Sequence, residues 1–129
     1  MTLSPTLLIL LLGLTFPAQP PLECVDSKGK VVVPASKIRQ VGPEVSRPEV
    51  TQRIQPVWPK DVRQLGTIIV ESVIDTSGRI CAVRILRAPS KELGEAVGAA
   101  LRATRFRPAR SKGQAVPVHY VLTVNTHPQ

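Results

Sequence analysis

GTIIVESVIDTSGRICAVRILR, residues Gly66 to Arg87, is the stretch whose reading decides the fold. Its first half, Thr67 to Asp75, is rich in β-branched residues, which favour extended backbone. Ile68, Val70 and Ile74 share one face of that strand. Ile69 and Val73 make the other face partly apolar, the pattern of a central strand. Asp75-Thr76-Ser77-Gly78 then supplies a side-chain acceptor at the start of a turn and a residue free to take positive φ at its end. The chain can reverse there, and Arg79 to Arg87 is the return strand of a hairpin.

Downstream, Ser90 is placed to cap a helix by accepting from an exposed backbone N–H. Leu93, Ala96, Val97, Ala100, Leu101 and Thr104 recur at helical spacing, so a helix over Lys91 to Thr104 turns one stripe toward the hairpin. Gly94 and Gly98 weaken it by about 1 kcal/mol each relative to Ala, and their missing side chains permit close packing on the sheet. Arg102, Arg105 and Arg107 gather toward its end, where positive charge offsets the macrodipole, and Pro108 stops it. Ser111-Lys112-Gly113 turns the chain into a last strand, Val116 to Val124, with Val118, Tyr120, Leu122 and Val124 on one face. If the helix crosses back over the hairpin, the third strand lies antiparallel beside the first. The expected fold is α+β: a small three-stranded antiparallel sheet, order 2-1-3, with one short and one longer helix packed on it. Its third strand is an edge whose unpaired N–H and C=O groups can accept another chain, a second copy included.

Upstream, Pro59 suits the first position of the short helix, Pro59 to Leu65, and Gly66 ends it. Residues Cys24 to Arg53 contain Pro34, Pro43 and Pro48, which interrupt any helix, so 24–53 is expected as an extended, Pro-containing linker. Within it, Val31 to Val33 can pair with Cys24-Val25 through a turn at Asp26 to Gly29. The run Leu7 to Leu14 is too short to span a bilayer, which takes about 20 apolar residues, and has the length of a signal-peptide core. Residues 1–23 are therefore expected as a signal peptide or weak N-terminal anchor, 54–125 as the folded domain and 126–129 as a tail. The expected location is outside the cytoplasm, with attachment to a membrane through the N-terminus as the alternative to cleavage.

Cys24 and Cys81 are the only cysteines. In an oxidising compartment they can form a bridge closing a long loop, which adds about 3 to 4 kcal/mol. Cys81, reading as the neighbour of Val83 and Ile85 on one strand face, also fits a small buried hydrophobe with a free thiol. Pro21-Leu22-Glu23 lacks the small residues that precede an acylated cysteine. All 17 Lys and Arg residues lie beyond residue 27, so the part after the apolar segment carries the net charge of +8. Such a surface is found on proteins that meet nucleic acid, anionic lipid or acidic glycans, and scattered charges of this kind read first as a solvated basic face. Nucleic acid is disfavoured, because the charges are scattered and only Trp58, Phe106 and Tyr120 remain as stacking aromatics. Nor does any constellation suit catalysis. Cys81 with His119 would lack an orienting third group, and two Cys with two His at unrelated spacings do not suggest zinc. No enzyme activity, cofactor or metal is expected.

Several fragments, in order, resemble the C-terminal domain of TonB-family proteins. Gln55-Pro56-Val57-Trp58-Pro59 is similar to the family's Gln-Pro-x-Tyr-Pro lead-in, with Trp58 in the Tyr position. Gly66, Val70, Asp75-x-x-Gly78-x-Ile80 and Val83-x-Ile85 resemble its hairpin. Phe106-x-Pro108-Ala109 and Gly113-x-x-Val116 resemble its helix end and final turn. The likeness covers about 70 of the 129 residues. It implies a periplasmic protein-binding domain that takes a short segment of outer-membrane transporters, the TonB box, as a strand added beside the third strand. Carried across, Gln55, Pro56 and Trp58 would contact the peptide, and Val116 to Val124 would form the accepting edge, with Val116, Val118, Tyr120 and Leu122 as its site residues. Trp58 also reads as a core plug beside Pro56 and Pro59. The family's energy-transducing role implies an ExbB and ExbD complex reached through an anchor helix. Leu7 to Leu14 makes a poor anchor, and the linker of about 30 residues is much shorter than the family's spacer. A second function class therefore stands beside peptide capture: a basic accessory or adhesion module of the cell envelope with the same fold and no energy transduction.

Overall fold

A computed structural model describes residue 13, residues 19–60 and residues 66–126. In chain order its elements are β1 (Cys24–Val25), β2 (Val31–Val33), a 3-10 turn (Ala35–Lys37), β3 (Arg39–Gln40), β4 (Glu49–Val50), β5 (Thr67–Ile74), β6 (Ile80–Arg87), α1 (Lys91–Ala103), β7 (Phe106–Arg107), β8 (Arg110–Ser111), β9 (Gln114–Ala115) and β10 (Val118–Asn125). The short helix expected from Pro59 to Leu65 falls largely outside the described residues, as does most of the apolar run from Leu7 to Leu14. Among the described residues no helix is long and apolar enough to cross a membrane.

The hairpin forms for the reasons its sequence contains. Asp75 Oδ1 accepts from Ser77 N (2.9 Å), Ser77 Oγ (2.6 Å) and Arg79 N (3.1 Å). Gly78 takes φ +83° at the end of the turn. A Cβ there would lie 1.9 Å from the Phe106 carbonyl oxygen. The absent side chain thus lets the hairpin tip dock on β7, where Phe106 N donates to Gly78 O at 2.9 Å.

The main sheet has four strands in the order β3-β10-β5-β6, not the three expected. β5 pairs antiparallel with both β6 and β10. The additional strand is β3, which lies parallel to the start of β10, opposite Val118 and His119. Arg39 N donates to Pro117 O at 2.9 Å, so a two-residue piece of the expected linker occupies the beginning of the edge.

One face of this sheet carries α1. Ser90 Oγ accepts from Leu93 N (3.2 Å), and Leu93, Val97 and Leu101 are buried with Ile68, Val70, Ile74, Ile80 and Val118. Gly94 and Gly98 lie against Ile85 and Val83 of β6, the close packing that offsets their poor helix propensity. The helix stops at Ala103, with Thr104 as its cap. Arg105 and Arg107 are therefore not in its last turn: Arg107 belongs to β7, which pairs with β4, and reaches Glu49 at 3.1 Å. The pull of β4 on β7 extends the chain there, ahead of Pro108.

The second face is also covered. The residues expected as an extended linker fold back over it, and β1 and β2 pair as a hairpin through the turn at Asp26 to Gly29. Cys24, Val73 and Ala82 form a small second cluster with Leu22, Val33, Ile38 and Cys81 around them. Cys24 is bonded to Cys81, with Cα atoms 5.2 Å apart. Strict alternation would place Cys81 with Val83 and Ile85, facing α1. A β-bulge prevents this: Ile74 opposes Ile80, but Val73 opposes Ala82, leaving Cys81 as the extra residue. The bulge lets Ile80, Val83 and Ile85 face the helix while Cys81 joins Ala82 on the opposite side, within reach of Cys24.

Candidate functional site

β10 has one satisfied flank and one that is only partly covered. Ser72 Oγ donates to Tyr120 O at 2.7 Å, and Thr126 N donates to Gly66 O at 3.0 Å, so even-numbered residues direct their backbone groups at β5. Pro117 O points the opposite way, toward Arg39. Because backbone direction alternates along a strand, the N–H and C=O groups of His119, Val121, Thr123 and Asn125 face outward. β3 covers the edge only as far as His119. Val121, Thr123 and Asn125 have no strand partner on that side among the described residues.

Alongside the uncovered end runs the segment that includes Gln55, Pro56 and Trp58. With Arg53, Ile54, Val124 and Asn125 these residues line a groove of about 470 Å³. Gln55 is exposed there. Trp58 is partly buried against the main core and lines the groove as well, so it serves both as a plug and as a wall. A site of this kind, an open strand edge beside a preformed and mostly apolar trough, has the physical requirements for taking up an extended chain.

The residues proposed from sequence divide accordingly. Gln55, Pro56 and Trp58 come together with the end of β10. Tyr120 and Leu122 lie in the strand, with side chains packed toward the core. Val116 is not in the strand: its N–H donates to Ala109 O at 2.9 Å, because the tight β8–β9 ribbon ends just before it. Val118 is fully buried and its stretch of edge is already paired with β3. Neither belongs to the open edge. Sequence reasoning included Val121 and Thr123 only within the accepting stretch Val116 to Val124, singled out the inward-directed residues instead, and missed Asn125; all three outward residues follow from alternation once the direction of a single backbone group is known. It also missed Arg53, which flanks the quoted motif.

On the far face Glu71 gathers two basic groups. Its carboxylate lies 2.7 Å from His119 Nε2 and 3.3 Å from Arg84. Arg84 also donates to the Pro20 carbonyl and to Gln19 Oε1, tying residues 19 and 20 to the sheet. Cys81 and His119, the pair weighed as nucleophile and base, are thus committed elsewhere, one to Cys24 and the other to Glu71.

An α+β domain built on a sheet with a partly open edge is the class this geometry defines. The model of the family described as Gram-negative bacterial TonB protein C-terminal matches residues 55–125, and the chain belongs to that family. Among solved structures it is similar to the TonB C-terminal domain of Pseudomonas aeruginosa determined by solution NMR, at 22% identity and a TM-score of 0.48, covering 71% of this chain and 97% of that one. No curated protein matches. The matched stretch holds β5, β6, α1 and β10, together with the Gln55–Trp58 wall of the groove. Residues 19–54, which supply β1 to β4, lie before it.

Proposed function

We propose that this domain captures a short extended segment of an outer-membrane transporter, the TonB box, as a strand added along Val121 to Asn125. The observation that carries this reading is the outward row of backbone groups at Val121, Thr123 and Asn125, next to the groove lined by Gln55, Pro56 and Trp58. Family membership supplies the kind of partner. Hydrogen bonds from the edge would hold the peptide backbone without regard to sequence, while Gln55 and Trp58 would meet its side chains. Val116 and Val118 would support the strand from within the domain. The periplasm would be the place of action, and peptide capture is the step that energy-coupled transport requires of such a domain.

Titration of the isotope-labelled full chain with TonB-box peptides tests this. Saturable backbone amide shifts at Gln55 to Trp58 and Val121 to Asn125 are expected. No shifts with any peptide, in a folded monomeric sample, would overturn it. Thr123→Pro sharpens the test, because Thr123 N–H faces outward and its removal costs β5 no ladder bond. Peptide affinity should fall at least about tenfold, given about 1 kcal/mol per hydrogen bond plus the lost fit of the edge. Thermal stability should change far less than in Leu122→Pro, which removes an N–H directed at β5.

A further inference from the structure

The open edge ends in two corners, each with an arginine. At one, Arg53 joins Gln55, Trp58, Val124 and Asn125 around the groove described above. At the other, Arg47 joins Gln40, His119, Tyr120 and Val121 around a second depression of about 400 Å³. Both arginines are exposed. Among the described residues neither makes an ion pair, and Glu71, the carboxylate paired with His119 of the second corner, is also held by Arg84.

From Val121 to Asn125 an extended chain covers roughly 13 Å at about 3.3 Å per residue. A strand of about five residues added there would therefore have a guanidinium near each end. Guanidinium presents a planar fork of donors that matches a carboxylate, and the net charge of +8 adds a field that draws an acidic chain toward the edge. Apolar surface lies at both corners: Ile54, Pro56, Trp58 and Val124 beside Arg53, and the exposed Val121 beside Arg47. Arg47 and Arg53 both precede residue 55, outside the stretch that matches the family. Arg47 precedes β4 and Arg53 follows it, so the selectivity they would supply belongs to the upstream segment of this chain.

We infer that the segment captured has an apolar centre of about five residues flanked at both ends by Asp or Glu, with Arg47 and Arg53 as the residues that select those carboxylates. This rests on the strand addition proposed above. The test uses the full chain and three synthetic peptides with one shared apolar centre, flanked by Glu, Gln or Lys at both ends. The Glu-flanked peptide should bind about tenfold more tightly than the Gln-flanked one, with the preference shrinking as salt is added. Arg47→Gln and Arg53→Gln should each reduce the ratio of Glu-flanked to Gln-flanked affinity about threefold. Arg53→Glu should transfer part of the preference to the Lys-flanked peptide. Equal binding of the Glu- and Gln-flanked peptides, at the same edge, would overturn the acidic selection and leave strand addition standing. Absence of binding by all three would overturn both.

Discussion

The two faces of the central sheet are covered by different means. On one, α1 follows the hairpin directly and buries Leu93, Val97 and Leu101 in a cluster that includes residues from β5, β6 and β10. On the other, a segment far upstream returns to cover only Val73, Ala82 and the cysteine pair. A 13-residue helix with a continuous apolar stripe buries enough surface to stay in place by packing. A loop-rich segment with few apolar residues does not. Its tether is covalent, through Cys24 and Cys81, 57 residues apart in sequence, and polar, through Arg84 and Glu71. One face relies on burial, the other on restricting the unfolded chain.

Replacing both cysteines with Ala should have the largest effect, about 4 kcal/mol, from the loop that the bridge closes. The comparison predicts more than a loss of stability. Native-state hydrogen exchange should quicken first in β1, β2 and β3, before α1 and β5 respond. Uniform acceleration across both faces would break the distinction. Leu101→Ala should cost about 3 kcal/mol, because Leu101 is fully buried in the helix-side core. Denaturant unfolding should show this loss, with exchange quickening throughout the domain. Gly78→Ala is expected to cost about 2 kcal/mol, since the turn needs positive φ and a Cβ would collide with the Phe106 carbonyl. Its amide shifts should centre on the hairpin tip and β7. Ser90→Ala should be the mildest, about 1 kcal/mol, and confined to the first turn of α1.

Coupling between the second face and the edge sharpens the contrast further. β3 continues directly from the tethered segment and closes β10 at Val118 and His119. Loss of the bridge should therefore expose amide protons at β3 while leaving the outward groups of Val121 and Thr123 as open as before. The part of the edge proposed for peptide capture belongs to the family-matched half of the chain, and its closed end belongs to the upstream addition.

Elements made from contiguous residues were legible before the structure. The hairpin, its Asp75–Gly78 turn, the Ser90 cap and the α1 stripe all follow from steric preference, turn chemistry and periodicity acting within about 20 residues. The β1–β2 ribbon was legible on the same grounds, and Gln55-Pro56-Val57-Trp58-Pro59 marked one wall of the groove. Tertiary structure alone decided the fourth strand, the return of residues 19–50 to the sheet, the side on which Cys81 emerges and the end of β10 that stays open. A two-residue strand such as β3 has no periodicity to read. A bulge at Cys81 exists only through its register with Val73, and pairing between Arg39 and Pro117 depends on where two distant segments meet. Local pattern determines which elements form, whereas the edge that remains available is set by contacts between residues far apart in the chain.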